Sequence, residues 1–267
     1  PLRLQRHSRG PAGLPGKDPV TLFQRWAVFF RQLHGIVAAT NRYHGALPAP
    51  ETFHTTVSYR LPFQGSWTVL NGGITQATSH TWALPSQRYA YDFLIADAQG
   101  NSFQGPEERL SSFYCYGQPI LSPAHGIVIA AVDGAPDSPV CSPRKAVCAA
   151  KDLRGNYLLL QHSPREYSLL AHLKPGSLLV RQGESVRQGQ PVAACGNSGN
   201  SSEPHLHFQL QDTPDFYTSA GLPIPFSSLR TAPAPNYHRL DPRPHGAETT
   251  PPPYLTRGQQ VSPLPPP

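Results

Sequence analysis

The stretch Glu203-Pro204-His205-Leu206-His207-Phe208, together with Ala171-His172-Leu173 upstream of it, decides the reading of this chain. Side chains of a β-strand alternate with period two, so a His-x-His pair puts both imidazoles on one face of a sheet. His172 lies in a second apolar segment that also reads as strand. Three imidazoles able to converge on one face point to a metal-dependent hydrolase. The candidate acidic partner is Asp92, in Gln87-Arg88-Tyr89-Ala90-Tyr91-Asp92-Phe93. Asp92 and His207 are the foremost ligand candidates. Carboxylate oxygen and neutral imidazole nitrogen are both ordinary Zn²⁺ ligands, and a catalytic zinc takes three protein ligands plus an open position.

Working outward, short apolar runs separated by turn residues predict strands over 53–61, 65–70, 88–96, 118–121, 126–132, 156–162, 166–173, 177–180, 190–195 and 205–211. Asn71-Gly72-Gly73, Asp133-Gly134, Pro175-Gly176 and the loop Gly196-Asn197-Ser198-Gly199-Asn200 punctuate them. The glycine-flanked segment Leu178 to Gln190 reads as a tight ribbon. It has the shape of a cofactor-carrier hairpin but no Lys at a tip to modify, so it is taken as scaffold. Before the strands, Asp18-Pro19 opens a helix over about 19–39, with Leu22, Trp26, Phe29, Phe30, Leu33, Ile36 and Val37 at helical spacing. This helix is expected to pack on the main domain. The fold expected is mainly β: one antiparallel β-sheet domain with an appended N-terminal helix. The organisation expected is a disordered start plus helix over 1–47, a β-rich domain over 48–230, and a Pro-rich disordered tail over 231–267.

The net charge of +6 suits an anionic partner such as a wall polymer, a membrane or nucleic acid, although no run of Lys and Arg reaches five. No nucleic-acid motif is present, and no apolar run is long enough to span a membrane. No signal peptide is visible, and the chain opens at Pro1 and contains no Met, as a processed fragment would. Four cysteines are compatible with an oxidising compartment. Cys141 and Cys148 flank a polar loop that they could close, whereas Cys115 and Cys195 sit in apolar surroundings as buried thiols.

Five separated segments resemble, in order and spacing, the lysostaphin-type peptidoglycan endopeptidases. They are Tyr89-Ala90-Tyr91-Asp92-Phe93, Ser122-Pro123-Ala124-His125-Gly126, Leu170-Ala171-His172-Leu173-Lys174-Pro175-Gly176-Ser177, the Gly183 to Gln190 ribbon, and Gly196 to Asn200 running on to His205-Leu206-His207-Phe208. The resemblance covers residues 87–210. It implies a zinc metalloendopeptidase with one Zn²⁺ that cuts peptide cross-links of bacterial peptidoglycan, working as a monomer outside the cytoplasm (periplasm, cell wall or secreted). It implies Asp92 and His207 as metal ligands. It also implies His172 and His205 as the catalytic pair flanking the attacking water, one taking or orienting its proton and the other stabilising the oxyanion. Asn197 and Asn200 would shape the loop and contact substrate.

The departure is at the first ligand. The family pattern is His-x-x-x-Asp, but Arg88 stands four residues before Asp92. An arginine has no lone pair for a metal. Arg88 must therefore point away, pair with another carboxylate, or mark a site that has lost its metal. His80, in Thr78-Ser79-His80-Thr81-Trp82, is the proposed replacement, with His54 and His125 as the other options. His162 is read as structural or as orienting a neighbour, and Glu203 ranks below His172 and His205 as a base. The alternative function is a catalytically degenerate, metal-free member that acts as a wall-binding or regulatory module.

Overall fold

A period-two pattern of apolar side chains needs a sheet with one face buried, and the chain builds one large sheet around the His-x-His strand. The computed structural model describes residues 19–140, 152–243 and 253–264, with the helix side chains described from Trp26 onward. Among these residues one long helix, α1 (Pro19–Arg42), precedes eleven strands. They are β1 (Trp67–Asn71), β2 (Tyr91–Leu94), β3 (Pro119–Leu121), β4 (Gly126–Val132), β5 (Asn156–Ser163), β6 (Glu166–Leu173), β7 (Ser185–Val186), β8 (Pro191–Ala194), β9 (Leu206–Gln211), β10 (Leu229–Pro233) and β11 (Gln259–Pro263). Nine of them form one sheet in the order β10-β11-β1-β2-β9-β6-β5-β4-β7, every named pairing antiparallel. β3 and β8 form a separate two-stranded ribbon. The protein is thus mainly β with one helix, as expected, although the sheet is not single.

The alternation on β9 divides the molecule. Leu206, Phe208 and Leu210 are fully buried in the main core with Phe93, Leu158, Leu160 and Leu170. Each contributes roughly 1.5–3 kcal/mol of transfer free energy. His207, Gln209 and Gln211 occupy the opposite face, where a smaller cluster of Tyr157, Leu159, Tyr167, Leu169, Ala171 and Phe216 flanks them. Register then fixes the site: Asp92 of β2 and Ala171 of β6 lie directly opposite His207 from the two sides of β9.

Several expectations are corrected. Segments 53–61 and 177–180 are not strands. Tyr59 makes only an isolated bridge to Phe226, and the run around Leu179 ties to the ribbon by one backbone bond to Val192. The Asp92 strand, expected over 88–96, covers only Tyr91–Leu94; Arg88 is instead the cap of a 3-10 turn, Pro85–Gln87, just before it. The tail, expected to be disordered from residue 231, supplies the end of β10 and all of β11, with Leu255, Arg257 and Val261 buried. Its proline content averages out a short apolar segment, and the two prolines within its strands, Pro233 and Pro263, are the last residues of β10 and β11, where a missing N–H costs least. Cys115 and Cys195 are buried free thiols, whereas Cys141, Cys148 and the start expected to be disordered lie outside the described residues, apart from the helix itself.

Helix α1 packs on the domain, but not by its apolar stripe. Its inner face is small: Ala39 is fully buried, and a Cβ on Gly35 would stand 1.9 Å from Tyr217 O. Arg42 Nη1 donates to the buried Asp212 carboxylate (3.1 Å) and to Thr218 O (3.1 Å), and Tyr43 OH donates to Asp212 (3.0 Å). Trp26, Phe29, Phe30, Leu33 and Val37 are each 48–58% exposed.

Candidate metal and catalytic site

Because β9 lies between β2 and β6, the side chains of Asp92, His205 and His207 share one face. Period two would send His172 to the other face. The backbone solves this with φ of 60° at His172, a left-handed conformation that is uncommon for a non-glycine residue and concentrates at functional sites. Its ring comes within 4.7 Å of the His205 ring and 5.7 Å of the His207 ring, centroid to centroid. His80 reaches the same place from the loop after β1, with Nε2 3.6 Å from Asp92 Oδ2. These five residues line a cleft of about 390 Å³, which Asn71, Arg154, Asn200 and Gln32 of α1 also line.

Each imidazole of the β6 and β9 strands has one nitrogen anchored. His172 Nδ1 donates to Ser198 O (2.8 Å), and His205 Nδ1 donates to Glu203 O (2.8 Å). Carbonyl oxygens accept only, so Nε2 of both neutral rings carries a lone pair. For His207 the anchor is Gln209. Gln209 Nε2 donates to Ser86 O (3.1 Å) and Gln211 Oε1 (2.7 Å), which leaves its Oε1 facing His207 Nε2 at 3.0 Å. The proton of His207 therefore sits on Nε2, and Nδ1 faces Asp92 Oδ1 at 3.0 Å.

An unprotonated Nδ1 and a carboxylate oxygen at that distance repel unless a cation lies between them. Without a metal that cation is a second proton. Burial alone would lower the His207 pKa, but the hydrogen bond and charge of Asp92 more than offset this and raise it. Burial would likewise raise the Asp92 carboxyl, yet His80, His207 and His205 around it hold it well below the usual carboxylate range. Burial holds His172 well below its ordinary value and also lowers His80, so both are neutral imidazoles near neutral pH.

Among the described residues, no group of three or more His, Cys, Asp or Glu side chains is arranged to hold a metal ion as it stands. The chemistry of the donors nevertheless fits zinc. Donor atoms on a tetrahedral zinc with bonds of about 2.0–2.2 Å stand about 3.3–3.6 Å apart. His80 Nε2 and His205 Nε2 are each 3.6 Å from an Asp92 oxygen, and His207 Nδ1 is 3.0 Å away. An anchored outer nitrogen is also what a metal-binding histidine ordinarily has.

The remaining candidates separate cleanly. Arg88 turns from the cleft and stacks on Trp82, its Cζ 4.8 Å from the ring centre. Asn200 lines the cleft, and its buried Oδ1 has no hydrogen-bond partner. Asn197, expected at the substrate, is instead buried in the loop, bonded to Asp137 and Ser138, and does not line the cleft. Glu203 accepts from Ser102 Oγ (2.8 Å), and His162 bridges His125 O and Ser168 Oγ, so neither lines the cleft. His54 and His125 are exposed and do not line it either.

Sequence reasoning missed Gln209, Asn71 and Arg243. Asn71 Nδ2 donates to Asp92 Oδ2 (3.3 Å), and Arg243 Nη2 donates to Asn71 Oδ1 (3.0 Å). The alternation His205, His207, Gln209, Gln211 carried a signal for Gln209, since a polar ladder on one strand face needs partners. Arg243 carried none.

Comparison with known proteins follows this geometry. The pattern of Peptidase family M23 matches residues 111–217. The peptidoglycan DD-endopeptidase ShyB of Vibrio cholerae is 32% identical over 104 residues, covering 38% of this chain and 24% of that protein. The murein hydrolase activator EnvC of Escherichia coli is 30% identical over 86 residues, covering 32% of this chain and 20% of that protein. The lipoprotein NlpD of Yersinia enterocolitica is 32% identical over 95 residues, covering 36% of this chain and 78% of that protein. The aligned stretch thus spans a quarter or less of the length of ShyB and EnvC.

Proposed function

This chain belongs to peptidase family M23, and on that footing we propose that it is a zinc-dependent endopeptidase that hydrolyses peptide cross-links of peptidoglycan outside the cytoplasm. The observation that carries the reading is the set of anchored imidazoles. Hydrogen bonds hold the outer nitrogens of His172, His205 and His207, so their lone pairs meet around one ionised carboxylate. A fold with no chemistry to perform has no use for three such groups.

His80, Asp92 and His207 would hold the ion. When bound, zinc supplies Lewis acidity and lowers the pKa of water to about 7. The chain's own residues do the rest. His172 is kept neutral by burial and presents Nε2 to the cleft. It takes a proton from the attacking water and returns one to the nitrogen of the broken peptide bond. His205 Nε2 stands beside it as an acceptor that would orient the attacking water. Asn200 Oδ1 offers an acceptor for a substrate N–H.

The test is metal analysis paired with wall digestion. Purified chain should bind one zinc, release soluble peptide from cross-linked peptidoglycan, and lose that release on chelation. His80→Ala should lose zinc, and His172→Ala should keep zinc but lose cleavage. A zinc-loaded, folded protein that leaves cross-links intact overturns the reading.

A second reading, a metal-free wall-binding or regulatory module, is favoured by Arg88 in the family's first-ligand position and by the absence of a set already arranged for metal among the described residues. Likeness to EnvC, named an activator, points the same way. Folded protein that binds peptidoglycan but takes up no zinc would establish it.

A further inference from the structure

Strand β1 carries a bulge that decides what faces Asp92. Thr68 pairs with Leu94 and Val69 with Phe93, but the register then slips by one residue, so that Asn71 and not Leu70 stands opposite Asp92. A bulge re-aims a side chain, and bulges are over-represented next to active sites. Here the bulge sets a side-chain amide against a buried carboxylate, and both line the cleft. A regular ladder would set leucine there.

An amide can face a carboxylate either way round, and the wrong way sets oxygen against oxygen. Arg243 removes the choice. A guanidinium only donates, so the Asn71 atom 3.0 Å from Arg243 Nη2 is Oδ1. Nδ2 is thereby turned to Asp92 Oδ2, to which it donates at 3.3 Å. Arg243 is held in its turn. Its Nε donates to the buried Asp241 carboxylate (2.9 and 3.0 Å), and the buried Arg257 donates to Arg243 O (2.9 Å). The same tail grips the backbone on both sides of Asn71: Tyr237 OH donates to Leu70 O (2.6 Å), and Arg257 N donates to Gly72 O (2.9 Å). Because Asp241 answers the charge of Arg243, what reaches Asp92 is a hydrogen bond of fixed direction rather than a bare cation.

We propose that Arg243 is a positioning residue of this site: it locks the Asn71 amide and, through it, fixes the Asp92 carboxylate for the metal. The consequence for metal rests on the zinc reading above, whereas the lock itself belongs to the metal-free chain. A carboxylate ligand is ordinarily hydrogen-bonded from behind, and loss of such a partner typically lowers metal affinity by about 10–100-fold. Arg243 and Asn71 both lie outside residues 111–217, the stretch that the family pattern matches, so segments beyond that pattern complete the site.

Full chain is titrated with zinc against a chromophoric chelator as wild type, Asn71→Ala, Arg243→Met and the double variant. The temperature is one where circular dichroism shows all four folded. The Arg243 side chain is 54% exposed, and Asp241 keeps Arg257 at 3.4 Å when it is replaced, so the fold is expected to survive. Asn71→Ala should weaken zinc binding by about 10–100-fold. Arg243→Met should also weaken it, but by less than about twofold once Asn71 is already alanine, because residues in one hydrogen-bond chain are coupled. In zinc-free protein, nuclear magnetic resonance reads hydrogen exchange of the Asn71 side-chain amide. Arg243→Met should quicken it by about threefold or more, as loss of one modest hydrogen bond implies. The proposal is overturned if Arg243→Met leaves zinc affinity unchanged, or weakens it equally with and without Asn71, as a merely structural role would. It is also overturned if the Asn71 amide exchanges at the same rate without Arg243. A wild type that takes up no zinc overturns the zinc reading, and with it the role of Arg243 toward a metal; quickened exchange in Arg243→Met would then still establish the lock.

Discussion

Gln209→Leu is the most searching perturbation, because it removes the one group that assigns the His207 proton. In the wild type Gln209 Oε1 accepts from His207 Nε2 (3.0 Å), and Gln209 Nε2 donates to Ser86 O and Gln211 Oε1. Leucine fills similar space but leaves three buried polar groups unpaired. At about 1 kcal/mol each, the lower end for such groups, stability falls by about 3 kcal/mol. Independently, loss of the hydrogen-bond partner behind a metal-binding imidazole lowers metal affinity by about 10–100-fold. That corresponds to about 1.4–2.7 kcal/mol of binding free energy. The two effects are separated by Gln211→Leu. This control removes one of the two acceptors of Gln209 Nε2 and the donor to Thr213 O, yet leaves Gln209 Nε2 bonded to Ser86 O and the acceptor on His207 in place. The assay is a zinc titration against a chromophoric chelator at a temperature where circular dichroism shows all three proteins folded. Gln209→Leu should weaken zinc binding, whereas Gln211→Leu should lose stability at unchanged affinity. Equal affinity for Gln209→Leu and wild type, or equal weakening in both variants, would refute the argument that Gln209 sets the His207 tautomer.

Three further outcomes follow from the same geometry. Arg88→Leu should leave zinc stoichiometry unchanged and cost about 1 kcal/mol in a thermal melt, because Arg88 stacks on Trp82 rather than facing Asp92. In metal-free protein, His172→Asn should flatten the acid side of the stability profile. The pKa of His172 is lowered in the folded state, chiefly by burial, so below about pH 6.5 the unfolded chain binds the extra proton and wild type loses up to about 1.4 kcal/mol per pH unit. Melts at pH 5 and pH 7 read the difference, and a wild-type slope no steeper than the variant's would refute it. Gly35→Ala should loosen α1, since its Cβ would meet Tyr217 O at 1.9 Å. A cost of about 1–3 kcal/mol to helix docking is expected, read as faster limited proteolysis within residues 19–42.

Much of the site was legible because strand chemistry is local. The alternation of His205, His207, Gln209 and Gln211 fixes their common face before any pairing is known. The register that sets Asp92 and Ala171 opposite His207 is tertiary, and it could be read only through resemblance to a family. His172 shows the limit from the other side. Its placement was anticipated, yet the left-handed backbone that aims it into the cleft leaves no mark in composition or period. The tail misled for a physical reason: proline density lowers the average hydropathy of 231–267, although Leu255 and Val261 within it are wholly buried. Helix α1 misled differently. Period 3.6 identifies a stripe but not its direction, and here Gly35 and Ala39 allow the closer approach, so small residues took the inner face.

The exchange of residues proposed at the first ligand has a structural logic. A strand that carried the family's His-x-x-x-Asp spacing would place both side chains on the Asp92 face. Here β2 starts at Tyr91, and Arg88 caps the 3-10 turn before it, off the strand and free of its alternation. That detachment lets the guanidinium settle on the Trp82 ring, where an aromatic face offsets a charge that would otherwise repel a metal. It also leaves the Asp92 Oδ2 side of the pocket open to Asn71 and His80. Of the imidazoles around Asp92, His80 has a side chain that remains 36% exposed, against 9% for His207 and 10% for His205. Of the donors proposed for the metal, one therefore comes from a loop and the others from paired strands. The rigid half of the site is set by the sheet register, and the half that departs from the family pattern is set by loop geometry, where a change of residue perturbs the fold least.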